Sequence, residues 1–504
     1  MRNVLEYLEA AYLKAPEKTA YASETDSLTF RQVYMQARSV GTVLLKDGLY
    51  KKPVVVFMEK SPQTITAFLG VVYAGCYYVP VDEEMPSYRM ELIFKTLSPQ
   101  AVICDKATTD RLYKMGYQGQ VYLYEQISAT PQDTKALSAV REKSIDTDAL
   151  YIVFTSGSTG IPKGVVACHR SVIDYIENLS AVLQVSEDTV FGNQAPLYVD
   201  ACLKEIYPTL KFAATAYLIP KQLFMFPVKL VEFINAHQIN TICWVVPALT
   251  MISGLGAFEK AVPSSLKTIA FGSEVFPARQ LALWRKYVPN ARYINLYGPT
   301  EATGMSCYYV VDREFKEDEV IPIGRPFPNT GILLLNEDGK EVTQGEKGEI
   351  CIRGTAVTMG YYRQPEKTAG NFVQNPLNKD YPEIIYKTGD LGYYNDRGEL
   401  MFASRKDYQI KHMGHRIELG EIEAQVEQHT AITRAICIYD SNKKRILLFY
   451  VGNIDGKQLI SELRDVLPGY MLPNKAFALD AFPMNKNGKV DRNALKELGG
   501  IKHA

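Results

Sequence analysis

The sequence predicts an α/β protein with three parts: a large N-terminal domain of parallel sheets layered with helices, a β-rich subdomain, and a small α+β domain at the C-terminus. From about residue 28 to 300, short apolar runs such as 54–57 alternate with amphipathic helical patterns such as 62–73. Strands that helices cover on both faces have this continuous apolar character. Closely spaced strands and turns between about 305 and 400 predict the β-rich subdomain.

The same patterns predict the individual elements. In the large domain we expect further extended segments at 76–81, 101–104, 121–124, 241–246 and 267–271. From about residue 404 onward we expect a strand at 408–411, a helix at 418–429, strands at 433–439 and 445–451, and a helix at 456–467. These assignments predict a large domain, 1–404, and a small domain, 405–504.

The composition excludes several classes of protein. The 504 residues include 56 basic and 56 acidic side chains, so no overall charge favours binding to nucleic acid or to an anionic membrane. No run of eighteen apolar residues exists for membrane insertion, and the N-terminus lacks the apolar core of a signal peptide. The eight cysteines are scattered without the spacing of metal ligands, which fits reduced thiols. We therefore expect a cytoplasmic protein.

The most informative segment is 151–164. An apolar run leads into a loop with three glycines, four hydroxyl side chains and one lysine. Glycines allow the backbone to turn its N–H groups inward, and the lysine adds a positive charge, so the loop predicts a cradle for a polyphosphate. Lys163 precedes glycine rather than serine or threonine, which distinguishes the loop from a Walker P-loop. The predicted phosphate contacts are Thr155, Ser156, Gly157, Ser158, Thr159, Gly160 and Lys163.

This loop resembles the phosphate-binding signature of the adenylate-forming superfamily, which includes acyl-CoA synthetases, luciferases and the adenylation enzymes of nonribosomal peptide synthesis. Other segments match motifs of that family, in the same order, along nearly the whole chain. They are Tyr77-Tyr-Val-Pro-Val-Asp82, Tyr297-Gly-Pro-Thr-Glu301, Gly348-Glu-Ile-Cys-Ile-Arg-Gly354, Tyr386-Lys-Thr-Gly-Asp390, Arg405-Lys-Asp-Tyr-Gln-Ile-Lys411, Arg416-Ile-Glu-Leu-Gly-Glu-Ile-Glu423, Leu467-Pro-Gly-Tyr-Met-Leu-Pro473 and Asn487-Gly-Lys-Val-Asp-Arg492. The resemblance implies an enzyme that attaches AMP to a carboxylate, releases pyrophosphate and passes the acyl group to a thiol.

The resemblance also implies roles for residues within these motifs. Asp390 and Arg405 would bind the ribose of ATP, and Tyr297 would stack near the adenine. Thr300 would reach the α-phosphate. Glu301 would associate with Mg²⁺, an ion that prefers hard oxygen ligands. ATP and Mg²⁺ are therefore the expected cofactors.

The C-terminal motifs imply how the two half-reactions are separated. Lys489 would bridge the substrate carboxylate and the phosphate during adenylation. Asp407 would be the hinge about which the small domain moves, and the tunnel for the thiol would open beside Gly414. Two residues depart from the family pattern: Ser404 replaces the usual glycine, and Met413 stands where many members have arginine. Both lie on the side of the thioester-forming step.

Asp200 indicates which acid is activated. Members that activate amino acids have an aspartate at the matching position, where it pairs with the α-ammonium group; the alternative is that Asp200 is the N-cap of a helix over 201–207. Trp244 and Phe271 are bulky, so we expect a short pocket that suits alanine, serine or glycine. The positions that match the lining of the family's substrate pocket are Asp200, Ala201, Lys204, Trp244, Ile269, Phe271, Leu296, Gly304, Met305 and Lys489.

Lys204 complicates the substrate prediction. A buried lysine needs a partner, and the side-chain carboxylate of an acidic amino acid would supply one. Alternatively, Lys204 pairs with Asp200, because residues four apart are neighbours on a helix. The sequence leaves a small and an acidic substrate both open.

The sequence contains neither a condensation domain nor a carrier motif, so we expect a free-standing ligase that loads the amino acid onto the phosphopantetheine thiol of a separate carrier protein. This layout, with the segments 193–196 and 205–208, resembles D-alanine–carrier protein ligases, which usually have cysteine at the position of Phe271. The resemblance to adenylation enzymes of peptide synthesis is comparable. The alternatives are an acyl-CoA synthetase for a non-amino acid, against which Asp200 argues, and a non-catalytic nucleotide sensor.

Overall fold

The computed structural model describes residues 1–157, 160–484 and 490–501. The chain divides into two compact units. The first comprises Met1–Glu83, Pro99–Val153 and Gly164–Lys406, and the second comprises Glu84–Ser98, Phe154–Lys163 and Asp407–Ala504. The glycine-rich loop and a helix of the N-terminal half therefore belong to the same unit as the C-terminal segment.

Helices and strands alternate along most of the chain. The helices are α1 Leu5–Lys14, α2 Phe30–Lys46, α3 Pro62–Tyr73, α4 Ser87–Leu97, α5 Lys106–Lys114, α6 Tyr124–Ile127, α7 Thr134–Lys143, α8 His169–Leu183, α9 Leu203–Phe212, α10 Pro227–Ala236, α11 Val246–Gly254, α12 Ala278–Tyr287, α13 Pro365–Asn371, α14 Leu419–Glu427, α15 Gly456–Glu462 and α16 Arg492–Leu498. Among the described residues, no helix has the length and apolarity to cross a membrane.

The strands are β1 Thr19–Ala22, β2 Ser27–Thr29, β3 Pro53–Phe57, β4 Tyr77–Pro80, β5 Ala101–Cys104, β6 Gln120–Leu123, β7 Ala149–Thr155, β8 Lys163–Cys168, β9 Val190–Asn193, β10 Thr215–Leu218, β11 Thr241–Val245, β12 Thr268–Gly272, β13 Arg292–Tyr297, β14 Cys307–Val310, β15 Arg325–Pro326, β16 Thr330–Leu335, β17 Gly348–Gly354, β18 Phe372–Gln374, β19 Ile384–Tyr394, β20 Leu400–Arg405, β21 Gln409–His412, β22 His415–Glu418, β23 Ile432–Asp440, β24 Arg445–Gly452 and β25 Lys475–Ala478.

Two large sheets carry the α/β layers. The six-stranded sheet has the order β6-β5-β3-β4-β7-β8, and its pairs β6/β5, β5/β3, β3/β4 and β4/β7 are parallel. The nine-stranded sheet has the order β15-β14-β13-β12-β11-β9-β10-β1-β2, with a parallel centre and antiparallel strands at both edges. This architecture confirms the predicted α/β class.

Smaller sheets follow toward the C-terminus. An antiparallel sheet runs β16-β17-β19-β18, with β20 paired to β19, and it corresponds to the predicted β-rich region. In the second unit, β21 and β22 form a hairpin, and β23-β24-β25 form a three-stranded sheet. The turn of the hairpin consists of Met413 and Gly414, which have φ angles of 53° and 82°. Two successive positive φ angles are typical of a type I′ hairpin turn.

Several predicted elements end earlier in the structure than in the sequence interpretation, and a strand and a helix show why. The strand predicted for 241–246 ends at Val245, because Val246 already begins α11 and Pro247 lies in the first turn of that helix. Proline lacks an N–H and is therefore well tolerated at the start of a helix. The helix predicted for 456–467 ends at Glu462 and continues as the 3₁₀ turn Leu463–Asp465.

Glycines allow α2 and α3 to pack closely. A Cβ atom on Gly70 would lie 2.5 Å from Cβ of Val40, and one on Gly41 would lie 2.6 Å from Cβ of Tyr73. Each helix therefore presents a glycine to the other, and neither position has room for a side chain. This contact lies inside the main core cluster of the first unit.

We expect Gly70→Ala to destabilise the protein by about 1–3 kcal/mol, because the added methyl group overlaps Val40 in a packed core. Thermal unfolding followed by circular dichroism measures the effect. The matched control is Gly370→Ala in α13, where an added Cβ meets nothing within 4 Å. That variant should keep or slightly raise the melting temperature, since alanine favours a helix over glycine. Equal melting temperatures for the two variants would contradict the packing argument.

Candidate nucleotide and substrate site

A buried carboxylate at Asp390 is the best-defined feature of the first unit. The Tyr297 hydroxyl, at the end of β13, donates to Asp390 Oδ2 at 2.6 Å. Arg405 is the direct cross-strand partner of Asp390, and its Nη1 donates to Oδ1 at 2.6 Å. Burial, followed by the nearby Asp390 charge, raises the pKa of Tyr297 well above its usual value, so the phenol stays protonated. Two donors thus fix the orientation of this carboxylate.

An irregularity in β19 positions Asp390. The register pairs Glu349 with Leu391 and Cys351 with Lys387, so three residues of β19 face one residue of β17. A bulge of this kind redirects side chains locally. Thr388 stabilises it: its Oγ1 donates to Ile350 O at 2.7 Å and accepts from the Asp390 N–H at 2.9 Å. No role was predicted for Thr388 from the sequence, although it lies within the motif at 386–390.

Glu301 is fully buried just after the end of β13, in the 3₁₀ turn Thr300–Ala302. The Tyr361 hydroxyl donates to Glu301 Oε1 at 2.8 Å. Thr358 donates its N–H and its hydroxyl to the Glu301 carbonyl oxygen at 3.0 and 2.9 Å. Tyr361 was not predicted from the sequence, because it is sixty residues away and outside any matched motif.

In the second unit, protein groups contact the donors of the glycine-rich loop. The Ser156 hydroxyl donates to Arg416 O at 2.8 Å, and the Gly157 N–H donates to Glu421 Oε2 at 3.1 Å. Lys163 Nζ lies 3.6 Å from Glu418 Oε1. Two of the donors predicted to hold phosphate thus interact with carboxylates, which offer similar negatively charged oxygens.

The loop also contains an unpartnered polar atom. The Thr155 hydroxyl is buried, and within the described part of the chain it has no hydrogen-bond partner. Unpartnered buried hydroxyls are rare in folded proteins, and a bound anion would provide the missing contact. Ser158, Thr159 and Lys489 lie outside the described residues. Gly160, with φ of 77°, needs the conformational freedom of glycine.

Asp200 and Lys204 lie at the N-terminal end of α9. Asp200 opens the 3₁₀ turn Asp200–Cys202, and the capping residue of that turn is Val199, so Asp200 is not the N-cap that the alternative interpretation proposed. The expected pairing of Asp200 with Lys204 is also absent among the described residues, where the Lys204 ammonium group makes no ion pair or hydrogen bond. A 3₁₀ turn has three residues per turn, so four-residue spacing across it does not align two side chains.

Lys204 lies in a buried polar cluster with Glu205 and Lys60. Lys204 is only 4% exposed and Glu205 only 1%. Asn193 Nδ2 donates to Glu205 Oε2 at 3.2 Å, and Lys60 Nζ donates to the carbonyl oxygens of Asn193 and Gln194, each at 3.3 Å. No role was predicted for Lys60 or Glu205. The sequence signal was a charged residue within the mostly apolar helix α9, for Glu205, and one just before α3, for Lys60.

Burial shifts the pKa values in this cluster. Desolvation raises the pKa of the Glu205 carboxyl to about 7, against the opposing effects of Lys204, the Asn193 amide and Lys60. Desolvation lowers the pKa of Lys60 to about 8. Near neutral pH, Glu205 therefore carries only part of its negative charge.

The predicted pocket positions are distributed over two faces of the nine-stranded sheet. Trp244, Ile269 and Phe271 belong to one hydrophobic cluster. Leu296 and Met305 belong to the other, which also contains Cys243, a residue that was not predicted as lining, and which Ala201 packs against. Successive residues of a strand point to opposite faces, so the structure separates Trp244 from Cys243. Gly304 lies against the ring of Tyr175, 3.3 Å from where its Cβ would be.

The boundary between the two units coincides with the segment predicted as a hinge. The first unit ends at Lys406 and the second resumes at Asp407, between β20 and β21. The Asp407 carboxylate accepts from the Gln409 N–H at 3.2 Å. Gly414, predicted beside the thiol tunnel, lies in the turn between β21 and β22.

Comparison with known proteins identifies similar sequences. A family model described as AMP-binding enzyme matches residues 8–362. Tyrocidine synthase 1 of Brevibacillus parabrevis is 31% identical over 490 residues, which cover 96% of this chain and 44% of that protein. Bacitracin synthase 1 of Bacillus licheniformis is 30% identical over 498 residues, which cover 98% of this chain and 9% of that protein. The chain thus spans less than half the length of these relatives.

Solved structures share the fold. The artificially fused adenylation–PCP di-domain NpsA-ThdA of Klebsiella oxytoca superimposes with a TM-score of 0.82 at 20% identity, covering 99% of this chain and 98% of that one. The adenylation domain AlmE of Vibrio cholerae, solved with glycyl-adenosine-5′-phosphate, gives a TM-score of 0.86 at 20% identity, covering 100% and 98%. These solved structures therefore have the same α/β fold as this chain.

The raised pKa of Glu205 predicts a pH-dependent contribution to stability. The folded-state pKa lies above the usual value, so between about pH 4.5 and 7 the folded protein holds a proton that the unfolded chain has lost. Stability therefore falls as pH rises through this window, by up to about 3 kcal/mol. Glu205→Gln removes this titration, so the melting temperature of the variant should rise relative to wild type between pH 5 and pH 8. Glu142→Gln, at an exposed position of α7, is the control. A gap between Glu205→Gln and wild type that does not change with pH would contradict the assignment.

Proposed function

Because the chain belongs to the AMP-binding enzyme family, we propose that it is a ligase that activates an amino acid with ATP and transfers it to a thiol. In the first half-reaction a carboxylate oxygen attacks the α-phosphorus of ATP, the α–β P–O bond breaks, and pyrophosphate leaves. In the second, a sulfur atom attacks the acyl carbon, the C–O bond to AMP breaks, and the thiol proton is released. The acyl acceptor that we propose is the phosphopantetheine thiol of a separate carrier protein.

The observation that carries this proposal is the fixed carboxylate of Asp390. Tyr297 and Arg405 each bind one of its oxygens. A carboxylate has about four lone-pair positions, so each oxygen can still accept from a hydroxyl of a ribose diol. Because the carboxylate is already oriented before nucleotide arrives, little conformational entropy is lost on binding. Tyr297 would also lie near the adenine ring.

The phosphates of ATP would bind at the glycine-rich loop and at Thr300. The unpartnered Thr155 hydroxyl and the Gly157 N–H are donors of the required kind. Lys489 would bridge the carboxylate and the α-phosphate, where negative charge develops in the transition state. This placement of Lys489 rests on the sequence motif alone.

A magnesium ion fits the donor chemistry of Glu301. Carboxylate oxygens are hard ligands, and Mg²⁺ is commonly held by one or two carboxylates together with substrate phosphates and water. The Tyr361 hydroxyl donates to Oε1 and so orients the Glu301 carboxylate. When bound, the ion would neutralise phosphate charge.

We propose an amino acid with a short side chain as the substrate, with alanine as the simplest candidate. Asp200 would pair with the α-ammonium group. Trp244, Ile269 and Phe271, which the sequence predicted as pocket lining, pack in a different hydrophobic cluster from Leu296 and Met305, so their bulk does not limit the space beside Ala201. The structure of AlmE holds the adenylate of glycine, the smallest amino acid. The proposed lining residues are Ala201, Lys204, Leu296, Gly304 and Met305.

Transfer to the thiol would follow movement about Asp407, which opens a tunnel beside Gly414. NpsA-ThdA joins an adenylation domain to a carrier domain, which supports a carrier protein as the partner. All eight cysteines of the chain are free thiols. This state fits the reducing cytoplasm, where we propose that the protein acts.

Amino-acid-dependent ATP–pyrophosphate exchange tests the proposed function. We expect exchange with at least one amino acid and none with fatty or aryl acids. Lys489→Ala should reduce exchange at least about 100-fold, because it removes a charge that acts in the transition state. Lys457→Ala, at an exposed position in the same unit, should leave exchange unchanged. Exchange with a fatty or aryl acid alone would favour an acyl-CoA synthetase instead.

Tyr297→Phe tests the ribose site separately. Removing the phenol leaves one oxygen of Asp390 without its donor, and hydrogen bonds to charged groups contribute about 1.5–3 kcal/mol. We expect the KM for ATP to rise about tenfold or more, with the KM for the amino acid unchanged. Tyr393→Phe, on the same strand as Asp390, is the control. An unchanged KM for ATP would remove Asp390 from the ribose site.

A further inference from the structure

Lys204 is a buried cation that makes no hydrogen bond or ion pair among the described residues, at the start of the helix that follows Asp200. We infer that the substrate is an amino acid whose short side chain ends in a carboxylate, and that Lys204 binds this carboxylate. This inference rests on the proposed function and specifies its substrate as an acidic amino acid of the size of aspartate. Of the neutral and acidic side chains that the sequence leaves open, the acidic one is thereby favoured.

The charged groups of this region share one buried neighbourhood without contacting one another directly. All of them influence the pKa of the buried Cys202 thiol. Burial raises this pKa most, Glu205 and Asp200 raise it further, and Lys60 and Lys204 lower it. Lys204 also lowers the pKa of the buried Cys243 thiol on β11. The Lys204 ammonium group therefore lies inside the protein, beside the strands, rather than extending into solvent.

An additional anion would complement the charges in this neighbourhood. Two lysines, Lys60 and Lys204, are present, whereas the Glu205 carboxyl is only partly ionised near neutral pH. Lys60 already has partners in two backbone carbonyl oxygens. If Asp200 pairs with the α-ammonium group of the substrate, Lys204 keeps no full counter-charge. An uncompensated buried charge is strongly destabilising, and a side-chain carboxylate of the substrate would compensate it.

Hydrogen-bond donors for a substrate carboxylate lie near Asp200. The hydroxyl groups of Tyr151 and Tyr175 are buried and have no hydrogen-bond partner within the described residues. Burial raises the pKa of both tyrosines well above the usual value, and the nearby Asp200 raises both further, so both groups remain protonated donors close to Asp200. A substrate that carries two carboxylates and one ammonium would satisfy more of these groups than alanine can.

Pyrophosphate exchange with matched pairs of amino acids tests the inference on the wild-type protein. The panel comprises both enantiomers of aspartate, asparagine, glutamate, alanine and serine. We expect kcat/KM for one enantiomer of aspartate to exceed that for the isosteric asparagine at least about 100-fold, and to exceed that for alanine. Asparagine or alanine equal to or better than aspartate would overturn the inference and leave the proposed function standing. Silence with every amino acid would overturn both.

A substitution at Lys204 identifies the residue that recognises the carboxylate. Lys204→Met keeps the length of the side chain and removes its charge, so exchange with aspartate should fall at least about 100-fold while exchange with asparagine or alanine is retained or improved. Lys211→Met is the matched control, because Lys211 lies on the same helix and pairs with Glu177, which is exposed. A parallel loss with all amino acids would mean that Lys204 is only structural.

A charge reversal gives a gain of activity that a structural role would not produce. Lys204→Glu should reduce exchange with aspartate and introduce exchange with 2,3-diaminopropionate, a short amino acid with a basic side chain. Melting temperatures of both variants show whether they are folded. If neither variant folds, the wild-type preference for aspartate over asparagine decides the inference.

Discussion

The buried group formed by Asp390, Arg405 and Tyr297 joins two sheets of the first unit. Tyr297 ends β13 of the nine-stranded sheet, whereas Asp390 and Arg405 face each other on β19 and β20 of the antiparallel sheet. The apolar contacts around this group come from both sheets, including Cys307 and Leu400. The position of the Asp390 carboxylate therefore depends on the packing of the two sheets. A change in that packing would move the candidate ribose site.

In the glycine-rich loop, too, protein contacts hold the polar groups, but here the loop supplies the donors. Its backbone and side-chain donors favour anions, and the carboxylates of Glu418 and Glu421 lie beside them. Glu421 also pairs with Arg89, and burial raises the pKa of Glu421 while Arg89 opposes that rise. A phosphate group that bound this loop, as proposed above, would compete with these carboxylates for the same donors. The motif at 416–423 thus contributes to the loop as well as to the helix α14.

Much of the architecture was predictable because its signals are local. Short apolar runs located β3, β5 and most of β11, and the contiguous motifs drew attention to Glu301, Asp390 and Arg405, whose roles stay predictions. Tyr361 and Lys60 were missed because they act through contacts that are 60 and 133 residues distant in sequence. The pairing of Asp200 with Lys204 was wrong for a different reason. The pairing of residues four apart requires a continuous α-helix, whereas this segment begins with the 3₁₀ turn Asp200–Cys202 before α9.

That local deviation has consequences for recognition. In a regular α-helix, Asp200 and Lys204 would neutralise each other and leave little charge for a ligand. The 3₁₀ turn breaks the four-residue alignment, so that Asp200 and Lys204 do not pair with each other within this buried region. A zwitterion with a second carboxylate has the complementary arrangement of charges. Desolvation makes such recognition selective, because a ligand that lacks the second carboxylate leaves Lys204 buried and uncompensated. Specificity would then arise from the penalty imposed on the wrong substrate as much as from attraction to the right one.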